Sequence, residues 1–339
     1  MSLTLTSPLD MHLHLREGEM LKLVAPFSAA HFSAGVIMPN LVDPVTNRDR
    51  LTTYRHQIES ACARYHFTPL MTLFFQEYSR ETLTACREQI IGVKLYPAGI
   101  TTQSDSGVRD LETAFGTIAL LEELGIPLLV HGESSGFVLE REREFLTIYE
   151  ELATTFPNLH LVMEHITTAD ALDTLNRFDN ISATVTLHHL LITLDDVVGG
   201  LMRPELFCKP IAKTPQDRAA LRDAVLGGHP RLMFGSDSAP HPRHAKECCG
   251  CAAGVFTAPV ALAALAEIFV EAGHPQRLQG FVSDIACKRY QLLPETKYVR
   301  LEERPWQVPQ CYGEIRPFLA GETLRWQVTA VREEMQKSL

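Results

Sequence analysis

The sequence predicts an α/β fold, a closed (β/α)8 TIM-type barrel, and three observations predict it. Short apolar runs alternate with longer amphipathic segments along the chain. Eight such runs occur. Each is β-rich or nearly continuously apolar, as strands covered on both faces are. A βα alternation of this length favours a closed barrel over an open doubly wound sheet. All 339 residues are expected to form one domain, with the barrel core over about residues 8–295 and a wrapping tail over about 296–339.

The first strand is Leu9–Leu15, so near residue 1 that no separate domain is expected before it. The second, Gly35–Met38, leads to a helix-like stretch over Arg48–Arg64. The third, Phe67–Phe75, precedes a helix over Ser79–Arg87, with Ser79 ahead of Arg80-Glu81 as its start signal. The fourth, Ile90–Tyr96, precedes a helix over Leu111–Leu124. Pro127–Val130 is followed by Phe137–Thr155. Leu159–Met163 is followed by Thr168–Arg177, where Thr168 ahead of Ala169-Asp170 is a second start signal. Ile181–Val185, the helix-like Asp217–Leu226 and Arg231–Phe234 complete the barrel. Helices around Ala258–Ala272 and Gln276–Leu292 follow. Pro305, Pro309 and Pro317 then mark an extended tail that wraps the barrel.

Hydrophobic side chains make up 45% of the chain and charged ones 21%, which supplies a large core and excludes a disordered chain. Net charge is −10, from 41 acidic and 31 basic side chains, and no basic run occurs. Such a chain suits neither nucleic acid nor an anionic membrane. An anionic substrate must therefore meet a locally placed Arg or Lys. No apolar stretch approaches the ~18 residues of a transmembrane helix. The opening MSLTLTSPLDMH lacks a basic region followed by an apolar one and is not expected to act as a signal peptide. Eight cysteines are too dilute for a disulfide scaffold, and reduced thiols in the cytoplasm are expected.

Chemistry concentrates at the ends of the runs. His12 and His14 are two apart on a strand, so their rings share a face, with Leu13 on the other. That pair is half a metal site; taken alone, it fits two solvated histidines on an edge strand equally well. His131 follows Pro127–Val130, His165 follows Leu159–Met163, and Asp237 follows Arg231–Phe234. Each stands just past the C-terminal end of a strand, where barrel active sites are built. Lys94 is the one charge within Ile90–Tyr96. A buried ammonium is costly unless neutralised, paired or modified, and a desolvated lysine amine is reactive. Reaction with CO₂ would turn it into a carboxylate able to bridge two metal ions.

These residues, with the stretches DMHLHLREG, MPNL, VKLYPAG, LLVHGE, MEHITT, CKPIAK, GSDSAPHPRHAKE and PWQVPQCYGEIRPFLAGETLRW, resemble the amidohydrolase superfamily. More narrowly, they resemble its bacterial dihydroorotases that lack an N-terminal β-sandwich, over roughly Pro8 to Val328. The resemblance implies two Zn²⁺ ions. One is held by His12, His14 and Asp237 and the other by His131 and His165. N6-carboxylated Lys94 and a hydroxide bridge them. Asp237 is implied as the catalytic proton carrier, and Arg16, Asn40 and His241 as the binders of a substrate carboxylate. An Arg fork suits a carboxylate geometrically. Thr101 and Thr102 resemble a lid over bound substrate, and Lys209 and Ala253 offer main-chain contacts to the ring edge.

The implied reaction is reversible cyclisation of N-carbamoyl-L-aspartate to L-dihydroorotate in pyrimidine biosynthesis, by a homodimer. Cyclisation is expected to be favoured at lower pH and hydrolysis at higher pH. The alternatives are a hydantoinase- or allantoinase-type cyclic amidase, and a metal-free scaffold homologue. Cys248, Cys249 and Cys251 have no second cysteine pair at zinc-site spacing. His188-His189 is read as structural.

Overall fold

A computed structural model describes residues 1–99, 107–108 and 111–333. Its centre is an eight-stranded parallel sheet: β2 (Leu9–Leu13), β3 (Ala34–Ile37), β4 (Thr68–Phe74), β5 (Gly92–Leu95), β6 (Leu128–Val130), β7 (Leu161–Met163), β8 (Ile181–Val185) and β9 (Leu232–Phe234), paired in chain order. The expected eight strands are these: β3 is shifted one residue towards the N-terminus, β8 is unchanged, and the others are one or two residues shorter at one or both ends. The ring closes between first and last members. Asp237 N–H donates to His12 O at 2.8 Å, and His14 N–H to Ser238 O at 3.0 Å. Nearly every barrel-strand side chain is buried, which is why the sequence shows continuous apolar runs rather than alternation.

Helices cover the outside: α1 (Gly18–His31), α2 (Arg48–Ala61), α3 (Arg80–Cys86), α4 (Leu111–Leu124), α5 (Arg141–Thr155), α6 (Ala169–Arg177), the short α7 (Leu187–Leu191) and α8 (Leu194–Val198), and α9 (Pro215–Gly227). Beyond β9 come α10 (Arg243–Lys246), α11 (Ala261–Glu271) and α12 (Ile285–Tyr290). Both start signals cap as expected: the Ser79 side chain accepts from Thr82 N–H, and that of Thr168 from Ala171 N–H. The expected helix over Gln276–Leu292 is broken into a 3₁₀ turn, a π turn at Gly280–Asp284 and α12.

Several elements differ from expectation, among them the short α7, α8 and α10, which no sequence pattern announces. Helix α1 was not anticipated, because Pro26 lies inside it, and proline ordinarily breaks a helix interior. Its core face is nonetheless regular: Leu21, Val24, Ala25, Ser28 and Ala29 are buried at helical spacing. The tail is not simply extended. β1 (Ser2–Thr6) pairs antiparallel with β10 (Lys297–Gln307), which pairs with β11 (Thr323–Glu333). The chain's two ends thus share one sheet, with Leu5, Val299, Leu301 and Trp326 buried. Pro305 falls where the β10–β11 register slips between Glu303 and Trp306, a place where the missing N–H costs no ladder bond.

A candidate metal centre at the barrel mouth

The site begins with backbone strain. Arg16, His165 and Asp237 hold left-handed φ values of 60°, 39° and 41°. Such conformations are costly for residues with a Cβ and gather at functional sites. Each turns the chain sharply where it leaves a strand and aims a side chain over the mouth. β2 ends at Leu13, so strand alternation does not carry Arg16 to the face of His14. The left-handed turn does, secured by Tyr54 Oη donating to Arg16 O at 2.9 Å and Arg16 Nε donating to Pro240 O at 3.1 Å.

The structure brings His12, His14, His131, His165 and Asp237 to one cleft, together with Arg16, Asn40, Lys209 and Ala253. The ligating atoms of His12, His14 and Asp237 lie within 4.8 Å of one another. Asp237 Oδ1 is 3.5 Å from His12 Nε2 and 3.2 Å from His14 Nε2. On the other side, His131 Nδ1 is 3.2 Å from His165 Nε2. The His12 and His165 rings, 4.9 Å apart, connect the two halves. Thr101 and Thr102 lie outside the described residues.

Two carboxylates that sequence reasoning did not single out set the histidine tautomers. Glu164 Oε2 is 2.9 Å from His12 Nδ1, and Glu133 Oε2 is 2.8 Å from His131 Nε2. Glu133 fixes the proton on His131 Nε2 and leaves the Nδ1 lone pair facing the cleft, and Glu164 lies where it can do the same for His12, the arrangement found behind metal-binding imidazoles. The signal was present in MEHITT and LLVHGE, as an acidic residue beside a strand-end histidine, but such residues are usually solvated. Thr184 Oγ1 donates to Glu164 at 2.6 Å, and Asp10, also buried, accepts from Ser236 N–H at 2.8 Å.

Burial dominates the electrostatics. It lowers His14 to about 4 and His131 and His165 below the ordinary imidazole value, so these rings are neutral, the state a metal requires. Burial pushes the Asp237 carboxyl up, but its hydrogen bond to His14 and the nearby imidazoles outweigh this and hold it well below the carboxylate range. Lys94 is fully buried, and its Nζ has no hydrogen-bond partner. It lies 4.9 Å from the centre of the Tyr96 ring, and burial brings its pKa down to about 8. Four imidazoles and a carboxylate around an unpaired amine are a donor set that fits a binuclear cation centre.

The cleft's other wall is cationic. Arg16 Nη2 is 3.0 Å from His241 Nε2, which is also 3.0 Å from Ala253 O. That single nitrogen serves the guanidinium or the carbonyl, one at a time. Tyr96 Oη donates to Asn40 Oδ1 at 3.0 Å, which turns the Asn40 amide donors away from the tyrosine. A second cluster, His188, His189 and Cys208, also gathers within 4.8 Å. Two of its members are engaged, His189 with Thr186 Oγ1 at 2.9 Å and Pro210 O at 3.0 Å, and Cys208 Sγ with Pro210 O at 3.2 Å, whereas neither ring nitrogen of the buried His188 has a hydrogen-bond partner. Among the described residues, no helix is long and apolar enough to cross a membrane.

No family model matches the chain. A dihydroorotase of Helicobacter hepaticus is 43% identical over 336 residues, covering 96% of this chain and 98% of that protein. The crystal structure of a Campylobacter jejuni dihydroorotase superposes with a TM-score of 0.93 at 50% identity, covering 97% of this chain and 98% of its own. A Saccharomyces cerevisiae dihydroorotase, solved in complex with 5-fluoroorotic acid, gives 0.91 at 34% identity, covering 99% and 100%.

Proposed function

The chain belongs to the dihydroorotase family, a family of metal-dependent cyclic amide hydrolases, and from that premise we propose how its barrel mouth works. The reaction is interconversion of N-carbamoyl-L-aspartate and L-dihydroorotate, a step of pyrimidine synthesis. The open form carries two carboxylates and the ring one. Closure therefore takes up one proton and releases one water, so low pH favours the ring and high pH the open chain. The observation that carries the reading is the unpaired, buried Lys94 amine beside a cleft where four imidazoles and Asp237 converge.

His12, His14 and Asp237 would hold one zinc ion, and His131 and His165 the other. The Lys94 amine, on adding to CO₂ with loss of a proton, would supply a carbamate carboxylate as a further ligand to this centre. When bound, such ions supply a water acidified from ~15.7 to about 7 and a Lewis acid at the scissile carbonyl. Asp237, unprotonated and centred between His12 and His14, accepts the proton of the attacking water and delivers it to the leaving ring nitrogen. In closure it starts protonated and works in reverse. Arg16, Asn40 and His241 grip the ring carboxylate, and the main chain at Lys209 and Ala253 meets the ring edge.

A hydantoinase or allantoinase substrate lacks this carboxylate and would leave the Arg16–His241 wall unmatched. Dihydroorotate, hydantoin and allantoin offered to the metal-replete protein decide the matter: the reading requires hydrolysis of dihydroorotate well above the other two. Comparable turnover of hydantoin, or none of dihydroorotate, would overturn it.

A further inference from the structure

Behind the cationic wall stands a lysine that does not reach the cleft. Lys246, on α10, is 7% exposed. Its Nζ donates three hydrogen bonds of 2.8 Å, to the carbonyls of Phe207, Ala252 and Gly254, which match its three protons. These oxygens come from two loops that join nowhere nearby in sequence. One runs directly into Cys208-Lys209. The other flanks Ala253 on both sides. Gly254 N–H also donates to Phe207 O at 3.0 Å, so one carbonyl ties both loops together.

The clamp is tight. Gly254 holds a φ of 148°, and a Cβ there would lie 2.3 Å from Ala239 O and 3.1 Å from the His241 ring. The loop is thus pressed against the base of the substrate wall, and main-chain placement here decides what the ring edge meets. The ammonium is balanced by carbonyl dipoles rather than a carboxylate, so its charge remains to act on the cleft. It lowers the His241 pKa alongside burial and the Arg16 charge.

We propose that Lys246 is a positioning residue for the substrate: it sets the Lys209 and Ala253 main chain against the ring edge and, when protonated, adds a positive charge behind Arg16 and His241. It touches neither substrate nor metal ligand. The inference rests on the dihydroorotase reading above. It assigns acidic-ring recognition partly to a residue outside the cleft.

The test compares wild type, Lys246→Met and Lys246→Arg in dihydroorotate hydrolysis, with orotate as a competitive inhibitor and with bound metal counted. Lys246→Met removes donors and charge together. It should raise KM and the orotate inhibition constant in parallel, about tenfold or more, with kcat within about threefold and metal content unchanged. Lys246→Arg keeps the charge but cannot match three converging carbonyls, and should recover part of the loss. Should Lys246→Met fail to fold, Lys246→Arg alone must still show the KM-selective rise. A KM unchanged in the folded variants, or a fall confined to kcat or metal content, overturns the proposal. A wild type inactive on dihydroorotate would instead sink the family-level reading.

Discussion

Six residues at the mouth were legible as a set because each stands within or just past a short apolar run. There a polar side chain has no packing reason to be. His12, His14, Lys94, His131, His165 and Asp237 share that signal, and the structure gathers five of them in one cleft with Lys94 buried against Tyr96, which lines it. Glu133, Glu164 and Lys246 were not legible. Each is an ordinary charge near a loop, and only three-dimensional burial gives it a partner. Arg16→Ala should raise KM for dihydroorotate by tenfold to a hundredfold, since a charged hydrogen bond is worth ~1.5–3 kcal/mol. Steady-state kinetics with kcat held apart from KM would show it, and an unchanged KM would remove Arg16 from recognition. Glu164→Gln should weaken metal binding by about 10–100-fold, because the carboxylate no longer fixes the His12 tautomer. Chelator competition reads this directly, and unaltered affinity would make Glu164 a packing residue only.

Among the elements, barrel strands and most helices could be read because burial on two faces leaves a strong pattern. The exceptions have physical causes. α1 carries a proline in its interior, and tertiary burial of its regular apolar face overrides that local cost. β1 is five residues long and finds its partner some 290 residues away, a pairing that no local pattern announces. The loop after β7 is held by a buried carboxylate. Glu142 accepts from the main-chain N–H and hydroxyl groups of Thr167 and Thr168 at 2.5–3.0 Å, just beyond His165. Glu142→Ala leaves those donors unsatisfied and should lower unfolding free energy by ~1–3 kcal/mol. Denaturant unfolding would measure the change. A loss below about 0.5 kcal/mol would mean that water replaces the carboxylate.

For the molecule as a whole, neutral buried histidines set acid tolerance. His31, His160 and His188 are each brought to about 4 by burial. Their folded pKa lies below the unfolded value near 6.5, so the unfolded chain binds protons that the folded one refuses. Stability is therefore complete above 6.5 and is lost as pH falls through about 4. Melting temperature should decline across that window, and His188→Gln should flatten part of the slope; equal slopes in the two proteins would contradict this. The proposed site requires distant strand ends to hold a pair of cations around Lys94. Its most direct test is the number of metal ions bound per chain in metal-replete wild type and in Lys94→Ala, each assayed alongside on dihydroorotate. The account predicts two ions and activity for wild type, and fewer than two with activity reduced at least about 100-fold for the variant. Equal metal content and comparable turnover in the two proteins would contradict it.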